Sequence, residues 1–184
     1  MRVATILSLL ALLTAFEALA EKADANKATD IKADQMAFDD VKQISSFTGN
    51  VVMQRGTLLM KAGKAVITQD PSGYQFSTLQ AGAGGMASFR QKRDGGDLWV
   101  EGQADRIEYD DKSELVKFFS RAKLKRLQGK QVTDEVTGEV IIYDSRSEIF
   151  TVQNANNAKD SSTSKRINTV IQPRNRSEAE GAKE

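Results

Sequence analysis

The 184-residue chain contains no cysteine and no histidine, and only two prolines. These absences exclude disulfides, thiol nucleophiles, imidazole bases and Cys/His zinc sites. Charge of either sign is also not in excess, since 26 Lys and Arg oppose 25 Asp and Glu. A general nucleic-acid-binding protein needs a surplus of basic residues, so we expect no nucleic-acid partner. Any partner must be recognised through shape or apolar surface.

Long apolar runs are missing except at the N-terminus. There Arg2 precedes an uncharged, Leu/Ala-rich run over 3–16, which is followed by Ala18-Leu19-Ala20. The run is shorter than the roughly 20 helical residues that cross a bilayer core, and its pattern is typical of a secretory signal peptide. We expect residues 1–20 to be removed after export, and residues 21–28 to form a flexible N-terminal arm.

From Thr29 onward, apolar and polar residues alternate in short runs with period two, which is typical of β-strands. Turn-forming residues separate the runs, and this spacing predicts one nearly all-β domain over 29–172, followed by a disordered tail over 173–184. The turn signals are Asp39-Asp40, Arg55-Gly56, 70–73, 94–96, Asp110-Asp111, Gln128-Gly129 and Thr137-Gly138.

The chain also contains an internal repeat. A shift of 71 residues places 33–40 on 104–111, and a further shift of 34 places Ile107 and Tyr109 on Ile141 and Tyr143. A unit of a few strands cannot bury its apolar face alone, so stacked units form a continuous apolar interior. Such a stack is open at both ends and leaves unpaired strand edges there, which favours addition of another chain's strand.

Several motifs occur together in a fixed order along the repeat. They are Ala-Asp-x-x-x-Phe-Asp at 33–39, Phe-Thr-Gly-Asn-Val at 47–51, Gly56 followed by Leu58 and Met60, and Val-Glu-Gly at 100–102 before Tyr109. With the signal peptide, this set resembles the LptA-type, OstA-like family of periplasmic lipopolysaccharide-transport proteins. The resemblance covers about residues 29–173.

The resemblance implies a periplasmic, non-enzymatic protein that uses no cofactor or metal. The implied fold is an open β-jellyroll built from repeated short antiparallel strands, with a hydrophobic groove for the acyl chains of lipid A. The implied partners are lipopolysaccharide and the inner-membrane LptC-like and outer-membrane LptD-like β-jellyroll proteins. Head-to-tail self-association between jellyroll edges is also implied.

Apolar residues on the inward parity of each unit are the candidates for the groove lining, with ordinary core packing as the alternative. The candidates are Ile31, Phe47, Val51, Met53, Met60, Phe89, Ile107, Tyr109, Phe118 and Leu124. The first and last strands are predicted to contact neighbouring proteins through Thr29, Ile31, Ile167, Thr169 and Ile171. Trp99 is predicted to be either a rim residue or part of the core.

The paired acids at 39–40 and 110–111 have three interpretations: turns, a carboxylate pair for glycan hydrolysis, or calcium ligands. Their recurrence in each repeat favours turns. The alternating basic residues Arg121, Lys123 and Lys125 form either a solvated face or a contact for lipid phosphates or an acidic partner. A periplasmic scaffold that binds only proteins is the alternative function.

Overall fold

The computed structural model describes Asp24, residues 27–154 and residues 167–172. These residues form twelve strands, all paired antiparallel, so the predicted nearly all-β fold is confirmed. The predicted signal peptide (1–20), the tail (173–184) and residues 155–166 lie outside the described residues. Within the described part, no helix is long and apolar enough to span a membrane.

The strands are β1 (Asp30–Lys32), β2 (Gln35–Asp39), β3 (Ile44–Arg55), β4 (Leu58–Gln69), β5 (Gln75–Gln80), β6 (Ala87–Lys92), β7 (Leu98–Ala104), β8 (Arg106–Asp110), β9 (Leu115–Gln128), β10 (Gln131–Asp144), β11 (Ile149–Gln153) and β12 (Asn168–Ile171).

The strand pairings define two layers, because β3, β4, β9 and β10 each run through both. In layer 1 the order is β2, the first half of β3, the second half of β4, β5, β8, the first half of β9, the second half of β10, and β11. In layer 2 the order is β1, the second half of β3, the first half of β4, β6, β7, the second half of β9, the first half of β10, and β12.

Each long strand bends where it passes between layers. In β3 the register shifts between Thr48 and Val51, and the residues in between, Gly49 and Asn50, have φ of 82° and 46°. Glycine and asparagine are the residues that adopt positive φ most readily. In β9 the equivalent residues Ser120 and Arg121 also have positive φ, 62° and 53°. The bend is therefore present in both repeats although its glycine is not.

The sequence repeat is also a structural repeat. Asp34 N donates to Gly49 O at 2.9 Å, and 71 residues later Asp105 N donates to Ser120 O at 3.1 Å. The hairpins β2–β3, β8–β9 and β10–β11 likewise end on one turn type, in which an aspartate accepts backbone N–H groups two or three residues ahead. These aspartates are Asp39, Asp110 and Asp144, and each turn closes with a residue at φ of 53–56°, namely Gln43, Glu114 and Glu148.

One predicted turn is wrong. Thr137 and Gly138 lie inside β10, which continues from Gln131 to Asp144 with a register shift between Gly138 and Val140. This glycine lies where β10 crosses between the layers. The sequence predicts a turn here because a bulge and a turn both require a flexible backbone residue. The other six predicted turns separate strands as expected.

The inward faces of the two layers pack on each other to form the core. Phe89 of layer 2 meets Phe118 of layer 1 edge to face, with ring centroids 5.9 Å apart. Gly102 is opposite Phe89, and a Cβ there would lie 2.2 Å from the Phe118 ring. The layers thus approach closely because this position carries no side chain. Burial of one such phenylalanine is worth about 1.5–3 kcal/mol.

Part of the N-terminal arm predicted to be flexible is held against the domain. Asp24 is buried, and its carboxylate accepts hydrogen bonds from Thr57 N at 2.9 Å and from the Thr57 hydroxyl. Lys27 N donates to Asp24 O at 3.1 Å. The described part of the arm therefore covers the β3–β4 turn at Gly56, where a Cβ would collide with Asp24.

Candidate functional site

The space between the inward faces of the two layers is the candidate functional site, which we call the interlayer slot. Nine of the ten predicted lining residues belong to one buried hydrophobic cluster, and Ile31 packs partly buried against it. The structure therefore brings the whole predicted set together by packing the residues on one another. Contact with lipid stays a prediction. The nine are Phe47, Val51, Met53, Met60, Phe89, Ile107, Tyr109, Phe118 and Leu124.

A row of mostly apolar residues lines the slot in each layer, because directly paired residues of neighbouring strands face the same side. A row in each layer runs from one sheet edge to the other. In layer 1 it is Met36, Phe47, Ala65, Leu79, Ile107, Phe118, Ile141 and Val152. In layer 2 it is Ile31, Met53, Met60, Phe89, Gly102, Leu124, Val136 and Thr169.

The apolar rows are uncovered at both strand edges. At the β2 edge, Met36 and Phe38 lie on the inward parity yet are 62% and 54% exposed, because β2 pairs only with β3 in the described part of the chain. At the opposite edge, Ile171 of β12 is 73% exposed. Beside it lies a small cavity of about 50 Å³ whose lining includes Ile171, Phe150 and Leu124. The slot therefore ends in apolar surface at each edge.

The residues predicted to contact partners lie on these edges. In the described part of the chain, β1 pairs only with β3, and β12 only with β10, so each has a second side without a strand. Thr29 and Ile167 directly precede these strands, and Thr169 and Ile171 lie within β12. Binding of a partner at these edges stays a prediction.

The slot has two unlike long sides. On one side the long strands cross between layers, and the connections at 33–34, 81–86 and Asp105 pass from layer to layer. The opposite side, which we call the mouth, carries only turns that join strands of one layer. In the described residues, no backbone connection crosses the mouth. The turns at the mouth are 40–43, 70–74, 111–114 and 145–148 in layer 1, and 56–57, 93–97 and 129–130 in layer 2.

A buried arginine crosses the mouth from layer 2 to layer 1. Arg55, at the end of β3, is 7% exposed and pairs with Asp111 at 2.6 Å. It also donates to the Tyr109 hydroxyl at 2.5 Å, and its guanidinium lies 5.5 Å from the centre of that ring. Its Nε has no hydrogen-bond partner among the described residues. Among the three interpretations of the paired acids the sequence favours a turn role for Asp111, and the structure adds this ion pair.

Two further arginines of layer 2 contact layer 1 along the mouth. Arg93, which follows β6, forms an ion pair with Glu148 of the β10–β11 turn. Arg126 of β9 lies over the Phe150 ring of β11, 5.3 Å from its centre, and pairs with Asp134 at 3.0 Å. Side-chain contacts, chiefly of arginines, therefore hold the layers together along this side, where the described backbone forms no link. From the sequence one can predict that these arginines face inward, because they share the inward parity of their strands. Which residues they contact cannot be predicted, because those contacts depend on how the two layers pack.

The paired acids act in turns. Burial alone would raise the pKa of Asp110, but hydrogen bonds from the Ser113 hydroxyl and from the backbone N–H groups of Ser113 and Lys112 together lower it. The pKa of Asp144 is lowered in the same way by Ser147 and Arg146 against the effect of burial. Among the described residues, no group of three or more Asp or Glu is arranged to hold a metal ion.

The alternating basic residues of β9 face outward and are paired. Arg121 pairs with Asp105 on the side where the long strands pass between layers. Lys123 and Lys125 both contact Glu135, at 3.0 and 3.5 Å. The hydrogen bond from Lys123 lowers the pKa of Glu135. On the same layer Trp99 faces outward too, with Arg90 lying 4.2 Å from its ring centre. Trp99 is thus a partly exposed residue of the outer face and does not belong to the core.

Comparisons with known proteins agree with this architecture. The sequence model of the family described as LptA/(LptD N-terminal domain) LPS transport protein matches residues 30–149. Lipopolysaccharide export system protein LptA of Haemophilus influenzae is 33% identical over 171 residues, covering 92% of this chain and 91% of that protein. LptA of Escherichia coli K12 is 29% identical over 156 residues, covering 85% and 77%.

A solved structure shares the fold. LptH of Pseudomonas aeruginosa, titled the LptA homologous periplasmic component of the lipopolysaccharide transport device, superposes with a TM-score of 0.70 at 24% identity. The match covers 82% of this chain and 99% of that one. Because the family model spans more than half of the chain, and an LptA relative matches almost all of it, the chain belongs to the LptA/LptD N-terminal domain family of lipopolysaccharide transport proteins.

Proposed function

We propose that the chain is a periplasmic lipopolysaccharide carrier that shields the acyl chains of lipid A in the interlayer slot. The observation that carries this proposal is the pair of rows, which run from Met36 to Val152 in layer 1 and from Ile31 to Thr169 in layer 2, with Met36 and Ile171 exposed at opposite edges. A path of this kind gives an acyl chain similar apolar contacts at every strand. It needs no catalytic group, so the proposed function is not enzymatic.

The energetics of lipid transfer support an enclosed path. Covering a hydrocarbon chain is worth about 0.8 kcal/mol per methylene, so several acyl chains cross water only if they remain covered. The slot is filled by side chains such as Phe89 and Phe118. An entering chain must therefore separate the layers, and this separation is easiest at the mouth, where the described residues join the layers through side chains only.

The open edges support a bridge of several jellyrolls. We propose that the β12 edge of one molecule pairs with the β1 edge of the next. The same edges would join an inner-membrane LptC-like protein and an outer-membrane LptD-like protein. Such a head-to-tail contact does not close on itself and so produces a chain of domains. Neighbouring apolar rows would then join into one path, because each row reaches its own sheet edge.

Mass spectrometry of gently purified protein tests the carrier function. We expect a multi-acyl glycolipid to co-purify with the wild-type chain. Val152→Lys places an inward-facing charge at the β11 end of the layer 1 row. It should reduce the bound lipid several-fold. Thr151→Lys is the matched control, because the adjacent side chain faces outward on the same edge strand. Circular dichroism checks that both variants fold.

Two outcomes would count against the carrier. If no lipid co-purifies and none binds when added, while the protein still self-associates, the chain is a protein-only scaffold. If Thr151→Lys removes lipid as effectively as Val152→Lys, the lipid does not pass between the layers.

A further inference from the structure

The mouth is bordered by a row of arginines that the acyl-chain path alone does not explain. Arg55, Arg93 and Arg126 all extend from layer 2, at the ends of β3 and β6 and in β9. Successive members are separated by two strand positions in the order β3, β4, β6, β7, β9. With strands about 4.8 Å apart, the arginines are spaced by roughly 10 Å along the mouth.

The present partners of Arg55 and Arg93 lie in positions from which they can be released. The Arg55 side chain is 8% exposed, whereas its partner Asp111 is 17% exposed; Arg93 is 15% exposed against 31% for Glu148. In these two pairs the carboxylate is thus nearer to water than the guanidinium, whereas Arg126 is itself 30% exposed against 20% for Asp134. When the layers separate, the carboxylate can become hydrated, whereas the arginine remains at the border of the slot and needs a new acceptor.

We propose that this arginine row binds the phosphate groups of the glycolipid headgroup while the acyl chains occupy the slot. The proposal rests on the carrier function proposed above and assigns headgroup recognition to named residues. Lipid A carries phosphate on its sugars, at the polar end from which the acyl chains extend. With the chains between the layers, the headgroup emerges through the mouth, because of the two long sides this is the one where the described residues form no connection between layers.

Arginine suits this task better than other residues would. Its guanidinium binds phosphate through two parallel hydrogen bonds, and a phosphate monoester carries about −1.5 to −2 charge against −1 for a carboxylate. A phosphate can therefore displace Asp111 or Glu148 once it reaches the mouth. Arg55 has a donor available for it, since its buried Nε has no acceptor among the described residues. The row then passes a headgroup from one arginine to the next.

Binding of two lipids that differ only in phosphate tests the proposal. Purified full-length mature protein is titrated with lipid A bearing both phosphates and with the same lipid after dephosphorylation. We expect the wild type to prefer the phosphorylated form by about tenfold or more. Arg93→Gln should reduce this preference several-fold without weakening binding of the dephosphorylated lipid, and Arg93→Lys should retain part of it.

Arg90→Gln is the matched control, because Arg90 is on the outer face of the same layer, paired with Glu101. Its phosphate preference should equal that of the wild type. Equal loss of both lipids in Arg93→Gln, or loss of preference in Arg90→Gln, would overturn the proposal. A wild type that binds both lipids equally overturns it while leaving the carrier function intact. A wild type that binds neither lipid overturns both.

A crosslink across the mouth provides an independent measurement. The chain has no cysteine, so Arg93→Cys with Glu148→Cys can be joined by a bifunctional thiol reagent of suitable length. We expect this crosslink to block uptake of either lipid. The control joins Lys125→Cys to Glu135→Cys, which are opposite each other within layer 2, and should leave uptake unchanged. Uptake through a crosslinked mouth would overturn passage of the headgroup along the arginine row.

Discussion

Energetic coupling between Phe89 and Phe118 would show directly that the two layers pack on each other. Each ring is buried, and the two meet edge to face at 5.9 Å across the slot. Replacing either by leucine should lower the free energy of unfolding by about 1–2 kcal/mol. An aromatic pair in this geometry is worth about 0.5–1.5 kcal/mol beyond its buried area. The double variant should therefore lose less stability than the sum of the two single variants.

Urea unfolding followed by the fluorescence of Trp99, the single tryptophan, measures these free energies. Distant sites add within about 0.3–0.5 kcal/mol, so the expected coupling is detectable. Phe119→Leu is the control partner, because Phe119 faces outward beside Arg106, whose guanidinium lies 4.0 Å from its ring centre. Combined with Phe89→Leu it should be additive. Additive behaviour of the Phe89 and Phe118 variants would refute the packing of the layers through these rings.

Three further outcomes follow from the ion pairs and edges. Asp111→Asn should destabilise the protein by about 1–3 kcal/mol, because it removes the charge paired with a buried arginine. Asp40 is the exposed counterpart of Asp111 in the first repeat, and Asp40→Asn should change stability by about 0.5 kcal/mol or less. Thermal unfolding of the two variants compares these effects. The pKa values of Asp110 and Asp144 are lowered by folding. The ionised carboxylates therefore stabilise the folded state at pH values above the ordinary pKa of 3.8, and this stabilisation is lost as the pH falls through the lowered pKa. Urea midpoints at pH 6 and pH 3 should therefore differ less in Asp110→Asn than in the wild type, and an unchanged difference would contradict the shift. Deleting residues 167–184 should weaken concentration-dependent self-association in sedimentation; undiminished association would exclude β12 as the joining edge.

The sequence repeat carries most of the fold information. Period-two alternation identifies the inward residues of each strand, and the repeat aligns Ala33 with Ala104 and Phe38 with Tyr109. The same alignment places Met36 on Ile107, so it also marks Met36 as inward-facing at the edge. This success has a physical cause, because burial of one sheet face specifies side-chain parity.

Strand bends and contacts between the layers cannot be predicted from period-two alternation. The sequence predicts a turn at Gly138, since a bulge in a long strand and a turn between short strands require the same backbone freedom. Ser120 and Arg121 adopt positive φ without glycine, because the repeat geometry imposes it. The pairing of Arg55 with Asp111 joins residues on different layers, and local periodicity contains no information about which residues meet across a slot.

A pair of adjacent aromatic residues offers the most direct test that lipid passes between the layers. Phe118 faces the slot and Phe119 faces outward on the same strand, β9. Each is replaced in turn by the photo-reactive amino acid p-benzoylphenylalanine, and the protein is irradiated with lipopolysaccharide. Passage between the layers predicts a lipopolysaccharide adduct at position 118 and none at position 119. Equal labelling at both positions, or labelling at 119 alone, would contradict an internal path.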